Sequence, residues 1–234
     1  MIAWETVERA RAPDGGELVL ARRGDEWVVR SAGRVLMTSR VHGSEEALAE
    51  LALTRAARLR TVLLGGLGLG YTLRAALDRL PPGARVVVAE LVPAVAAWNR
   101  GPVAELAGRP LEDPRVRLQL GDVAGRIAEA KGAFDAILLD VDNGPSPLAQ
   151  AANRGLYGEA GIAACRDALA AGGVLATWSA GPDEGYLARL GRAGLAAEAH
   201  PAPPRAGERA RHVVFLATKQ ASPPRRGAYR NSQR

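Results

Sequence analysis

The chain has 234 residues, 47% of them hydrophobic and 24% charged, which suits one large domain or a domain with a small appendage. Its longest apolar runs, such as Thr61 to Leu64, are too short to cross a bilayer, its start lacks the pattern of a signal peptide, and Cys165 is its single cysteine, so a cytoplasmic protein without internal disulfides is expected. The net charge of +6 does not mark a nucleic-acid-binding face: five cations lie in the last sixteen residues, which hold no acid, and removing them leaves +1.

Residues 1 to about 40 read as short strands. Glu17 to Ala21 and Glu26 to Arg30 flank Arg22-Arg23-Gly24-Asp25, and Gly33 separates the second run from Arg34 to Met37, which is the grammar of hairpins. Ser44 then reads as the cap of a helical run carrying Leu48, Leu51 and Leu59, with Glu45 and Glu46 placed at its positive end.

From Arg60 onward strands and helices alternate. Val62 to Leu64 is an apolar strand, and Tyr71 to Leu80 a helix stopped by Pro81-Pro82-Gly83. Val86 to Ala89, Val116 to Leu120, Ala136 to Leu139 and Gly173 to Trp178 are the next strands. Helices opened by Pro93, over Val123 to Ala130, and over about Tyr157 to Ala170 lie between them. A helix over Glu184 to Arg192 and a strand pair, about Ala196 to His200 and Val213 to Ala217, complete the pattern. Strands that are continuously apolar are buried on both faces. The expected fold is therefore α/β, a Rossmann-like, doubly wound, mostly parallel sheet with a small β-rich N-terminal subdomain. The corresponding boundaries are 1–43 for the subdomain, 44–220 for a nucleoside-binding domain and 221–234 for a disordered basic tail.

Ligands of such sheets bind beyond the carboxyl ends of the strands. Gly65-Gly66-Leu67-Gly68-Leu69-Gly70 follows the first strand, Glu90 ends the second, Gly121-Asp122 follows the third, and Asp140-Val141-Asp142-Asn143-Gly144-Pro145 follows the fourth. Glycines let the backbone approach a ligand. An acid about twenty residues on is placed to bond ribose hydroxyls, and Asp122 is placed to meet an adenine amino group. The loop lacks the Gly-x-Gly-x-x-Gly spacing that seats a pyrophosphate and the Gly-Lys-Ser/Thr of a polyphosphate loop, so a nucleoside without phosphate is favoured. His42, His200 and His212 have no metal-ligand spacing, so no metal is expected.

Read together, Val62 to Gly70, Val88-Ala-Glu90, Asp113 to Val116, Gly121-Asp122 and Phe134 to Asp140 resemble the spermidine synthase family of aminopropyltransferases, over about residues 15 to 218. The resemblance implies a class I methyltransferase fold and S-adenosylmethionine or its decarboxylated form as group donor. It implies a donor site of Gly65, Gly66, Gly68, Gly70, Glu90, Leu91, Asp122 and Val123, with Glu90 on the ribose and Asp122 with Val123 on the adenine. Asp140, with Asp142 adding negative potential, is implied to deprotonate an attacking amine, and His42, Glu46, Asn143 and Tyr157 to border the amine acceptor. Members of the family are often homodimers. No membrane partner is expected, and nucleic acid only through the basic tail.

The chain departs from the family pattern at three places. Gly68 stands where the family has an aspartate that receives the donor's amino end. Ser44-Glu45-Glu46 stands where the family has Tyr-His-Glu or Tyr-Gln-Glu, and Asp140-Val-Asp-Asn-Gly-Pro145 shortens Asp-Ser-x-Asp-Pro. Methyl transfer on the same fold, or a non-catalytic module that kept it, are the alternatives. Trp178 and Tyr157 could wall a pocket or simply pack in the core.

Overall fold

The computed structural model describes residues 2–13, 15–141, 144–145, 154–205 and 208–220. The basic tail, Asp142 and Asn143 therefore lie outside the described residues.

The N-terminal residues form an antiparallel meander of β1 (Glu5–Arg11), β2 (Glu17–Arg23), β3 (Glu26–Ser31) and β4 (Arg34–Thr38). Gly24 and Gly33 turn it with positive φ of 62° and 77°, which is why glycine occupies both turns. The first strand was not resolved as an element in the sequence, because Glu5–Arg11 is exposed along nearly its whole length and carries no apolar alternation.

Helix α1 (Gly43–Arg55) follows, and it begins two residues earlier than a cap at Ser44 indicates. His42 occupies the cap position without a capping side-chain bond, and the Ser44 hydroxyl donates to Glu45 instead, at 2.7 Å. The helix start is held from outside, the Gly43 amide donating to the Pro204 carbonyl at 2.9 Å.

The main sheet has seven strands: β5 (Thr61–Gly65), β6 (Arg85–Glu90), β7 (Val116–Leu120), β8 (Phe134–Leu139), β9 (Leu169–Ser179), β10 (Leu195–Ala202) and β11 (His212–Lys219). Their spatial order is β10-β11-β9-β8-β5-β6-β7, in which β9, β8, β5, β6 and β7 run parallel and β11 is antiparallel to both of its neighbours, β9 and β10. Helices α2 (Tyr71–Arg79), α3 (Pro93–Arg100), α4 (Val123–Glu129), α5 (Arg154–Tyr157), α6 (Glu159–Ala168) and α7 (Glu184–Arg192) connect them.

Alternation of side chains along each strand explains the two layers. Val62, Leu64, Val86, Val88, Ala136 and Leu138 point into one core with Leu48, Leu73 and Leu77 of α1 and α2. Leu63, Ile137, Leu139 and Leu175 point into the other with Ile127, Ile162 and Tyr186. Each fully buried aliphatic side chain contributes about 1.5–3 kcal/mol, so two apolar faces per strand are what a doubly wound sheet requires. Strand β5 pairs with β6 on one side and β8 on the other, so the chain reverses its winding between β5 and β8. A crevice opens there, beyond the carboxyl ends of both strands.

Candidate active site

The glycine loop and Asp140 meet at that reversal. The Asp140 amide donates to the Gly65 carbonyl at 2.9 Å, and a Cβ on Gly66 would collide with the Asp140 carbonyl oxygen. Gly66, Gly68 and Gly70 have φ of 85°, 54° and 88°, a conformation that favours glycine. Leu67 and Leu69 between them are buried and pin the loop to the core. The five-residue spacing thus alternates leucines pointing down with glycines whose backbone faces up. The glycines are not equivalent. Gly65 is packed against Val123, and Gly70 fits beneath Asn99 and Pro110. A Cβ on Gly68 would reach only the Met37 sulfur, at 3.4 Å, so the N-terminal meander lies over the loop. Asn99 donates to the Gly68 carbonyl at 2.8 Å and fixes that peptide from below. Asn99 is a positioning residue the sequence did not mark, because a lone asparagine in a helix carries no signal.

Glu90 is 6% exposed, and its carboxylate accepts from the amides of Leu67 at 2.8 Å and Val92 at 2.7 Å. It therefore ties the glycine loop to the end of β6. Leu91 and Leu120 are 47% and 52% exposed, among the few large apolar side chains open to solvent. Leu120 pairs with Glu90 across β6 and β7, so both leucines stand at the same edge as Gly121 and Asp122. Asp122 is exposed and caps α4, accepting from the Ala124 amide at 2.9 Å, while Val123 is buried beneath Gly65.

Asp140 is half-buried, and the Thr72 hydroxyl at the start of α2 donates to it at 2.5 Å. Burial raises its carboxyl to about 6 against the lowering effect of Thr72. Glu45, in the first turn of α1, is raised to about 7 by burial and by the negative charge of Asp140, against lowering hydrogen bonds from Ser44 and its own amide and the charge of His42. The two carboxyls therefore sense one another. The other side of Glu45 is a hydrogen-bonded row: Ser44 donates to it at 2.7 Å, and His212 Nδ1 lies 3.1 Å from the Ser44 hydroxyl. Trp178 packs on His212 with ring centroids 4.8 Å apart, and its buried indole nitrogen has no partner among the described residues.

His42 and Glu46 stand on the outer side of α1. His42 stacks on Tyr71, centroids 4.0 Å apart, and bonds Glu46 at 2.8 Å. Both line a groove of about 600 Å³ between the meander and α2, with Asp25, Arg40, Tyr71 and Arg74. Tyr157 is 3% exposed, and its hydroxyl donates to the Val141 carbonyl at 3.1 Å. Among the described residues, no three His, Cys, Asp or Glu side chains cluster so as to hold a metal ion. No helix there is long and apolar enough to cross a membrane.

No protein-family model matches the chain. Two curated relatives do match, both named polyamine aminopropyltransferase. That of Nitrosomonas europaea is 37% identical over 99 residues, covering 42% of this chain and 29% of its own length. That of Prochlorococcus marinus is 32% identical over 139 residues, covering 59% and 46%. The matched chain thus spans less than half the length of either relative. Among solved structures, a spermidine synthase in complex with the transition-state analogue AdoDATO and the spermidine synthase from Thermotoga maritima each superpose with a TM-score of 0.74. The identity is 20% in both cases, over 94% of this chain and 74% of theirs. A probable spermidine synthase from Corynebacterium glutamicum gives 0.64 at 17% identity, over 92% and 80%. In sequence and in fold the chain is therefore spermidine synthase-like, a mostly parallel seven-stranded sheet with a small antiparallel sheet in front of it.

Proposed function

We propose that the protein is a transferase that moves an aminopropyl group from decarboxylated S-adenosylmethionine to an amine acceptor. The observation that carries this reading is a half-buried carboxylate, Asp140, held by Thr72 beside a glycine loop at the sheet's winding reversal. The AdoDATO complex of the similar spermidine synthase supports it by analogy of fold.

The residues present fit a nucleoside. The glycine loop carries no side chain of its own at Gly68, Leu91 and Leu120 expose apolar surface suited to an adenine ring, and Glu90 and Asp122 stand at the adjoining strand ends. A sulfonium donor supplies an electrophilic carbon with a neutral thioether as leaving group. The chain's part is to orient and to move a proton. Glu90 holds the loop and the ribose, Asp122 and Val123 the base. Asp140 attracts the acceptor's ammonium and takes one of its protons, exposing the nitrogen lone pair. Removal of water from the crevice strengthens that attraction.

Gly68 favours a second reading. With no carboxylate at that position, the loop does not repel the carboxylate of intact S-adenosylmethionine, so methyl transfer remains compatible with the donor site. Calorimetric titration with S-adenosylmethionine, its decarboxylated form and methylthioadenosine, repeated with Glu90→Ala, tests the assignment. Tighter binding of the decarboxylated donor, lost in the variant, supports aminopropyl transfer. Preference for the intact donor moves the reading to methyl transfer, and binding of none leaves a non-catalytic module. A cytoplasmic location and a homodimer complete the proposal, with any nucleic-acid contact confined to the basic tail.

A further inference from the structure

We propose that Thr72 is a positioning residue of the transfer reaction: its hydroxyl occupies Oδ2 of Asp140 and so leaves Oδ1 as the oxygen that takes the acceptor's proton. The inference rests on the amine-transfer reading above.

The backbone of Asp140 is fixed before its side chain is considered. Its amide donates to the Gly65 carbonyl at 2.9 Å, and its own carbonyl oxygen lies where a Cβ of Gly66 would stand. What remains free is the carboxyl group, whose last torsion is broad and roughly two-fold. A bond from another element must choose its orientation. Thr72 supplies that bond from the first turn of α2, with its hydroxyl 2.5 Å from Oδ2. Thr72 is 2% exposed, so water does not compete for its hydroxyl, and its β-branched side chain is stiff. In a helix a threonine hydroxyl can instead turn back to the carbonyl four residues earlier. Here that carbonyl belongs to Gly68 and already accepts from Asn99 at 2.8 Å.

Oδ1 is placed differently. It has no partner among the described residues and is not fully buried, so it opens on the crevice. The bond at Oδ2 also survives the reaction. A carboxyl protonated on Oδ1 still presents Oδ2 as an acceptor to the Thr72 hydroxyl, whereas a proton on Oδ2 would compete with that bond.

The titratable groups around Asp140 come from three other elements. Glu45 faces it from the first turn of α1, and Tyr157 of α5 donates to the carbonyl of the next residue, Val141. Glu90 of β6 lies across the glycine loop, bound to the Leu67 amide. Among the described residues, Thr72 alone donates to the Asp140 carboxyl, and it favours the carboxylate against the burial that opposes it.

The step balances. The acceptor's ammonium gives one proton to Oδ1, and the freed lone pair forms the C–N bond as the donor's C–S bond breaks. The C–S electron pair leaves with sulfur as a neutral thioether, and the alkylated nitrogen carries the positive charge that the sulfonium gives up.

The test compares wild type with Thr72→Val, which removes the hydroxyl at nearly constant size, and Thr72→Ser, which keeps it. The substrates are decarboxylated S-adenosylmethionine and 1,4-diaminobutane. Thr72→Val is expected to lower kcat about tenfold, with KM for either substrate changed less than about twofold. It is also expected to move the acid limb of kcat/KM upward by about one pH unit. Thr72→Ser is expected to return both to near wild type. Glu45 also titrates in this range, so the limb is measured again in a Glu45→Gln background, where the same upward shift is expected. Calorimetric binding of methylthioadenosine, unchanged in each variant, checks that the crevice is intact. If Thr72→Val does not fold, Thr72→Ala against Thr72→Ser makes the same comparison. An unmoved limb, an unchanged kcat, or a loss that Thr72→Ser shares overturns the inference. If wild type forms no aminopropylated product, or Asp140→Asn keeps full activity, the amine-transfer reading falls first and takes this inference with it.

Discussion

Asp140 and Glu45 are the side chains whose ionisation the fold changes most usefully. Both carboxyls are raised, Asp140 to about 6 and Glu45 to about 7, so the folded protein holds protons that the unfolded chain releases near pH 4. The sign follows: the stability they contribute is fully present below that pH and is lost as pH rises through 6 to 7. His212, lowered by burial, acts in the opposite sense as pH falls below its usual value, and Asp113 and Asp167, lowered by arginines, act at more acidic pH. The quantity to measure is therefore the melting temperature of wild type minus that of Asp140→Asn, from pH 5 to 8. It should fall with rising pH, and calorimetric melts would show it. The same variant should lose aminopropyl transfer by roughly a hundred- to ten-thousand-fold, the usual contribution of a positioned proton acceptor. Glu90 carries two duties that a single truncation separates poorly. Glu90→Ala leaves the Leu67 and Val92 amides without an acceptor, each costing about 1–3 kcal/mol, so urea unfolding should show a loss above about 2 kcal/mol alongside lost donor binding. Glu90's burial and its amide partners could not be read from sequence, because they depend on a loop 23 residues earlier.

At the scale of elements, the glycine loop is the most constrained segment. Gly66→Ala combines a left-handed φ with a collision against the Asp140 carbonyl, and should cost at least about 2 kcal/mol and abolish donor binding. A contrasting case is the cap of α7, where Asp183 accepts from the Tyr186 amide at 2.7 Å. Asp183→Ala should cost about 1 kcal/mol in chemical denaturation and leave turnover alone. The elements themselves were largely legible. Pro93 opens α3, Glu184–Arg192 is helical as read, and Val116–Leu120 is the third strand of the main sheet. Helix α1 was found, but its start was misread, since Ser44 is a good cap by type and is instead committed to Glu45 and His212. The helix read over about Tyr157 to Ala170 is α6, Glu159–Ala168, preceded by the short α5, Arg154–Tyr157, which the apolar pattern missed, and followed directly by β9 from Leu169.

For the whole molecule, continuous apolar strands such as Ala136 to Leu139 carried the parallel, doubly wound fold, because burial on both faces leaves no polar alternation. The strand-end acids were legible for the same reason: the fold class says where to look before any contact is known. What sequence did not reveal was convergence across long separations, Ser44 with His212 and Met37 over Gly68. Glu45 was read as a helix-end acid, and only the packing of α1 against the main sheet brings it to Asp140. Glu46, expected near the acceptor, faces the outer groove with His42. The central claim is aminopropyl transfer, and one assay addresses it directly. The purified protein is incubated with decarboxylated S-adenosylmethionine and 1,4-diaminobutane, and the products are resolved by mass spectrometry. Equal amounts of methylthioadenosine and an aminopropylated diamine, absent with Asp140→Asn, are the predicted result. No such products, together with methylated amine and S-adenosylhomocysteine when intact S-adenosylmethionine is supplied instead, would contradict it.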